Sequence, residues 1–164
     1  MLIAESIYVG GYDSTALTAT TGMWLLLSHP EEFDRARRDP AALERVPGEV
    51  VRMAGAVPMT LRVAVNDITV GDHLIRRDDL IGIGLVAANR DPVMFPDPDR
   101  FDLTRPPPRS MTFSSGVHTC LEQILARMNS SSFTERCWDG RSVWSRSVKR
   151  TSAQVGSPPS ESIS

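Results

Sequence analysis

Apolar positions dominate the start of this chain and thin out toward its end. Through residues 1 to about 28 they recur on every side of a helical wheel, as Leu2, Ile3, Ile7, Tyr8, Ala16, Leu17, Trp24, Leu25 and Leu27. A surface helix keeps one polar face, so this pattern predicts a long helix built to be buried on several sides. Gly10-Gly11 stands in its middle, at about 1 kcal/mol of helix propensity per glycine relative to alanine. The pair suits either close packing of another helix or a bulky planar group laid against the backbone. Pro30 opens a second, charged helix from Glu31 to Arg38, at a position where its missing N–H costs little, and Asp39-Pro40 ends it. A short turn of helix is predicted over Ala41 to Arg45, and another helix opening at Pro47 and carrying Glu49-Val50-Val51-Arg52. The pattern then changes. Thr60 to Val65, Ile68 to Val70 and Leu80 to Leu85 predict strands, with Asn66-Asp67 as the turn between the first two. Val86 to Arg90 predicts a short helix, and Asp91 to Pro108, rich in Pro and Asp, a long ordered loop. An apolar helical run, Leu121 to Met128, follows. The fold class is mainly α with a small β-sheet.

After Met128 the texture changes abruptly. Residues 129–164 hold 11 serines and alternate Arg, Ser and Trp with no period. Low apolar content with Ser, Pro and Gly predicts a disordered, low-complexity tail, so the organisation is one domain over 1–128 and a tail over 129–164. The break in texture fits translation in another reading frame or an unrelated fusion. A length of 164 residues suits one domain, and the net charge of -2 leaves no basic excess for nucleic acid or anionic lipid. Cys120 and Cys137 make no disulfide framework and fit a reducing, cytoplasmic compartment. No basic signal region precedes the first apolar run, and no run reaches the roughly 20 residues that span a bilayer. The reading is a soluble protein.

The chemistry concentrates at Cys120, within Phe113-Ser114-Ser115-Gly116-Val117-His118-Thr119-Cys120 and just before the last helical run. A thiol at a helix N-terminus meets the positive end of the dipole and free N–H groups, which favour thiolate. The small residues before it let the backbone approach a flat ligand, and iron in a haem suits such a sulfur. Alone, such a residue is more often a small buried hydrophobe, and the ligand reading depends on what stands upstream. Cys137 has no partner motif, and His29 and His73 read as surface residues.

Four features stand in order: Gly10-Gly11-Tyr12-Asp13-Ser14 in the long helix, Glu49-x-x-Arg52, Pro98-Asp99-Arg100-Phe101 in the loop, and Phe113 to Cys120. Together they resemble the C-terminal part of a cytochrome P-450, a haem-thiolate monooxygenase of the soluble bacterial type. The stretch from Ala87-Ala88-Asn89-Arg90-Asp91-Pro92 through Phe101-Asp102-Leu103 is similar to the same family, and the resemblance covers residues 2–128. It implies haem b (iron protoporphyrin IX) with Cys120 as the iron ligand and Phe113 packed beside ring and sulfur. It implies that His118 and Arg62 meet the haem propionates, and that Glu49, Arg52 and Arg100 form a buried ion network fixing the Cys loop. Asp13 and Ser14 would relay protons on the distal side, while Gly10 and Gly11 leave room above the iron. The activity implied is insertion of one atom of dioxygen into a small organic substrate, with electrons from a ferredoxin or flavoprotein docked near the Cys loop. Each residue has a plainer reading: Asp13 as a solvated helix residue, Ser14 as back-bonded to a carbonyl one turn earlier, Arg62 as an exposed strand charge, His118 as a loop histidine.

The sequence also departs from that pattern. It starts at the family's long distal helix, so the resemblance implies a truncated chain. Such a chain would expose far more apolar surface than soluble monomers usually do, and would be unstable or aggregate. Ser114 stands where the family has Gly, and carries a Cβ into a backbone that favours φ > 0. Glu122 stands where Gly lets the last helix pass close to the ring; a carboxylate there must turn outward or disturb the site. Ser14 replaces Thr and keeps the hydroxyl. A non-catalytic remnant that at most binds haem, or a module pairing with a separately encoded N-terminal half, are the other readings.

Overall fold

The computed structural model describes residues 2–106 and 110–128. The readings made for the tail, Cys137 among them, lie outside the described residues. Three helices come first: α1 (Leu2–Ser28), α2 (Pro30–Arg38) and α3 (Pro40–Ala54). As the pattern predicts, α1 is one helix of 27 residues, about 40 Å long at 1.5 Å per residue. Near its C-terminal end Met23, Leu25 and Leu26 are buried, while Tyr8, Tyr12, Leu17 and Trp24 face solvent. The burial expected all round is therefore met on one face only, near that end, where Trp24 and Leu27 stay exposed. Close packing falls at a different glycine from the expected pair. A Cβ on Gly22 would stand 2.6 Å from Val50 Cγ1 of α3, so only glycine lets the two helices meet there.

Asp39 starts α3, with its Oδ1 accepting from the Ala41 N–H at 2.9 Å and Pro40 in the first turn. The break expected between Arg45 and Pro47 does not occur: Pro47 lies inside a continuous α3. An interior proline costs about 3 kcal/mol. Here the helix keeps its course because Ala42, Val46 and Val50, four residues apart, form one buried stripe against Leu25, Leu26, Ala36, Phe101 and Leu103. His29, expected at the surface, is half-buried, with its ring 5.3 Å from that of Phe101.

The strands are β1 (Met59–Val63), β2 (Ile68–Val70), β3 (His73–Ile75) and β4 (Leu80–Gly84). Consecutive strands around Asn66-Asp67 do not pair. Instead β1 pairs antiparallel with β4, Arg62 facing Ile81, and β2 with β3, Ile68 facing Ile75. β3 was not foreseen; three residues are too few to show a period. Gly71 turns the inner hairpin at φ +58°, a conformation glycine adopts without steric cost. α4 (Leu85–Ala88) follows β4 directly. The chain then runs through the Pro- and Asp-rich segment to two single 3-10 turns, Met111–Phe113 and Gly116–His118, and to helical residues 123–128. Among the described residues no helix is long and apolar enough to cross a membrane.

Candidate functional site

The site rests on a buried ion pair in α3. Glu49 and Arg52 lie one turn apart and face inward, exposed by only 2% and 0%. Arg52 Nε donates to Glu49 Oε2 at 2.9 Å and Nη2 to Oε1 at 2.8 Å, a two-pronged pairing. Its remaining N–H groups reach backbone carbonyls: Nη1 to Asn89 (2.9 Å) and Pro98 (2.7 Å), Nη2 to Arg100 (3.1 Å). All five guanidinium donors are thus used, and the Phe95 ring lies 5.3 Å from the guanidinium carbon. Buried charge is costly unless paired and hydrogen-bonded throughout, and this pair meets that condition. Glu49 Oε1 also accepts from the Asp102 N–H at 3.2 Å.

Arg100 joins this network differently from expectation. It contributes its carbonyl, and its exposed side chain instead acts on Asp102. The third charge belongs to Arg105, whose Nε stands 3.6 Å from Glu49 Oε1, while Nη1 and Nη2 donate to the carbonyls of Pro96 (2.6 Å) and Asp97 (3.1 Å). At Asp102 burial works to raise the pKa. The Thr104 hydroxyl and N–H, with Arg100 and Arg105 nearby, outweigh it and hold the carboxyl below its ordinary value.

A residue missed in the sequence connects this network to the thiol. Asn89, just after α4 and buried, gives its carbonyl to Arg52. Its side chain faces the other way: Oδ1 accepts from the Met111 N–H (2.6 Å) and Nδ2 donates to Thr112 Oγ1 (2.8 Å). Thr112 Oγ1 donates in turn to the Val51 carbonyl at 2.7 Å. Next in the chain is Phe113, whose carbonyl accepts from the Cys120 N–H at 2.9 Å. Hydrogen bonds through Asn89 and Thr112, carried on along the chain to Phe113, therefore join α3 to the residue carrying the sulfur. Phe113 is capped by the Arg127 guanidinium, 5.1 Å from its ring centre. Ser114 adopts φ 57°, ψ -165°, the region expected for the glycine it replaces and one that a residue with a Cβ rarely occupies.

Cys120 is exposed and its thiol is free. It lines a cavity of about 460 Å³ with Val51, Thr112 and Phe113 on its own side and Gly10, Asp13, Ser14, Leu17 and Thr18 of α1 opposite. The volume lies within the range of small-molecule sites. Residues from the two ends of the described chain thus share one space. Space above Gly10 is open, with no atom within 4 Å of a built Cβ. Gly11 is covered: the Glu122 carboxylate lies against it, Oε2 only 2.7 Å from the Cβ position. Glu122 therefore turns inward onto α1 beside the cavity, not outward. Asp13 is exposed, and Ser14 Oγ donates to the Gly10 carbonyl, the back-bonded arrangement. Arg62 is half-buried, its Nη1 bonded to the carbonyl of Leu61 at 2.7 Å. His118 is exposed and does not line the cavity.

Comparison with known proteins gives the family. The cytochrome P450 family model matches residues 2–137. A putative cytochrome P450 140 of Mycobacterium tuberculosis is 40% identical over 126 residues, 76% of this chain and 29% of that protein. The 6-deoxyerythronolide B hydroxylase of Saccharopolyspora erythraea is 34% identical over 126 residues, 77% of this chain and 31% of that protein. Among solved structures, the tirandamycin C-bound P450 monooxygenase TamI superimposes with a TM-score of 0.80 at 30% identity, covering 84% of this chain and 35% of that one. The architecture is part of the cytochrome P450 fold. The chain belongs to the cytochrome P450 family, and it spans about a third of the length of the relatives it matches.

Family membership implies a haem held by a cysteine thiolate. The residues present fit it at two points: one sulfur opens into a largely apolar cavity, and Gly10 leaves the opposite wall clear. Of the side chains that would neutralise its acid groups, Arg62 is bonded to the Leu61 carbonyl and His118 is exposed away from the cavity.

Proposed function

We propose that this chain carries the thiolate ligand and the distal helix of a haem-dependent monooxygenase. The supporting observation is that Cys120 and the Gly10, Asp13 and Ser14 segment line one cavity. Haem b, bound there, would supply dioxygen activation and transfer of one oxygen atom to a small organic substrate. The chain's own residues would do the rest. Cys120 Sγ would hold the metal as thiolate, and Phe113 would cover the sulfur side. Arg62 and His118 would turn from their present positions to pair with the ring's carboxylates, which suits a guanidinium's fork geometry. Asp13, exposed at the cavity, would take a proton from solvent and pass it to Ser14 Oγ once that hydroxyl leaves the Gly10 carbonyl. Electrons would come from a ferredoxin or flavoprotein docked beside the Cys120 loop, and the compartment would be the cytoplasm. A second reading, a non-catalytic remnant that at most binds haem, is favoured by the inward Glu122 and the Ser114 backbone. The test is the ligand's spectroscopic signature. The haem-loaded chain is expected to give the thiolate form, and Cys120→Ser to lose it; equal spectra for both would reject Cys120 as the ligand.

A further inference from the structure

Gly11 and Glu122 lie at opposite ends of the described chain, yet the carboxylate of one rests on the backbone of the other. Oε2 stands 2.7 Å, Cδ 3.4 Å and Oε1 3.5 Å from the position a Gly11 Cβ would take. That is a side chain spanning from the segment after Cys120 to the wall of α1. Gly10, next to Gly11, and Cys120, two residues before Glu122, both line the cavity, while Gly11 and Glu122 do not. The contact therefore bridges the two walls beside the cavity, and a planar ring broad enough to extend past it between the sulfur and α1 would meet the Glu122 side chain. We infer that Glu122 closes the edge of the ring site, must be displaced before any planar tetrapyrrole can enter, and sets how tightly one is held. The inference rests on the cavity being the haem site, and it concerns the volume of the side chain, not its charge.

The probe is metal-free protoporphyrin IX, titrated into the full chain and followed by its fluorescence. Without iron it reports fit between the walls separately from ligation by Cys120. Glu122→Gly and Glu122→Ala are each expected to bind it about tenfold more tightly than the wild type, the order expected when an overfilled site is relieved. Glu122→Gln, of equal volume, should stay as weak as the wild type. Tight binding by the Gln variant, or unchanged binding by both small variants, would overturn the inference. Cys120→Ser is the variant for the ligand assignment. Loss of the thiolate spectrum in that variant with haem tests the ligand assignment separately, so the two can fail independently. A cycle with Gly11→Ala supplies a ligand-free check against misfolding. The added methyl should lower the melting temperature of the wild type and have a much smaller effect in the Glu122→Gly background. Equal losses in both would show that the contact does not exist in solution.

Discussion

Ser114 is the clearest case of a single residue at odds with its position. Its φ of 57° with ψ of -165° belongs to a region that costs about 1–3 kcal/mol for a residue with a Cβ. Glycine would remove that strain, offset in part by about 0.4–1 kcal/mol of extra chain entropy in the unfolded state. Ser114→Gly is therefore expected to stabilise the chain by about 1 kcal/mol, read as a higher urea midpoint with unchanged slope; a lower midpoint would show that the backbone is not strained. Asp102 gives a pH dependence. Its carboxyl is held below the ordinary value by Thr104, Arg100 and Arg105 against the effect of burial. A depressed folded-state pKa adds stability above the unfolded value, and that stability is lost as pH falls through the folded value. Thr104→Val should thus lower stability at neutral pH and much less below about pH 3, where the unfolded Asp102 carboxyl is protonated. A loss as large in acid as at neutrality would contradict the assignment.

At the scale of elements, the local motifs were legible and the connections between them were not. Glu49-x-x-Arg52 announces itself because residues three apart share a helix face, and both side chains are buried on it. The third charge was misassigned to Arg100 because one motif carries both its arginine and its carbonyl; the carbonyl reaches Arg52, while Arg105 supplies the guanidinium. Pro47 misled because propensity is local, whereas the stripe of Ala42, Val46 and Val50 takes its stability from Phe101 and Leu103 far along the chain. Asn89 stands within the family-like stretch Ala87 to Pro92, but nothing singles out its role there, since one polar residue after a four-residue helix has no period. Its importance lies in two bonds to Met111 and Thr112. Asn89→Ala would strand the Met111 N–H, at a cost of about 1–3 kcal/mol for an unsatisfied buried group. Amide exchange at Met111 and Cys120 is expected to accelerate more than at Val46 and Val50. Uniform acceleration would mean that Asn89 supports the fold at large and not the Cys loop.

For the whole molecule, a long distal helix, a small sheet region and a cysteine loop follow from pattern and resemblance, and the structure brings Cys120 together with Gly10, Asp13 and Ser14 as that resemblance implies. Two things needed the three-dimensional arrangement. One is the strand pairing, which joins β1 to β4 around the β2–β3 hairpin. The other is the direction of Glu122, inward onto Gly11. Large apolar side chains stay exposed on α1, Tyr8 by 71% and Trp24 by 63%. The central claim is that Cys120 remains a thiolate ligand in this setting. The most direct measurement is the reduced, carbon-monoxide difference spectrum of the full chain loaded with haem. A Soret band at the thiolate-ligated position, absent from Cys120→Ser, is expected. A band at the position of a neutral ligand, or no haem uptake even by Glu122→Gly, would contradict the claim.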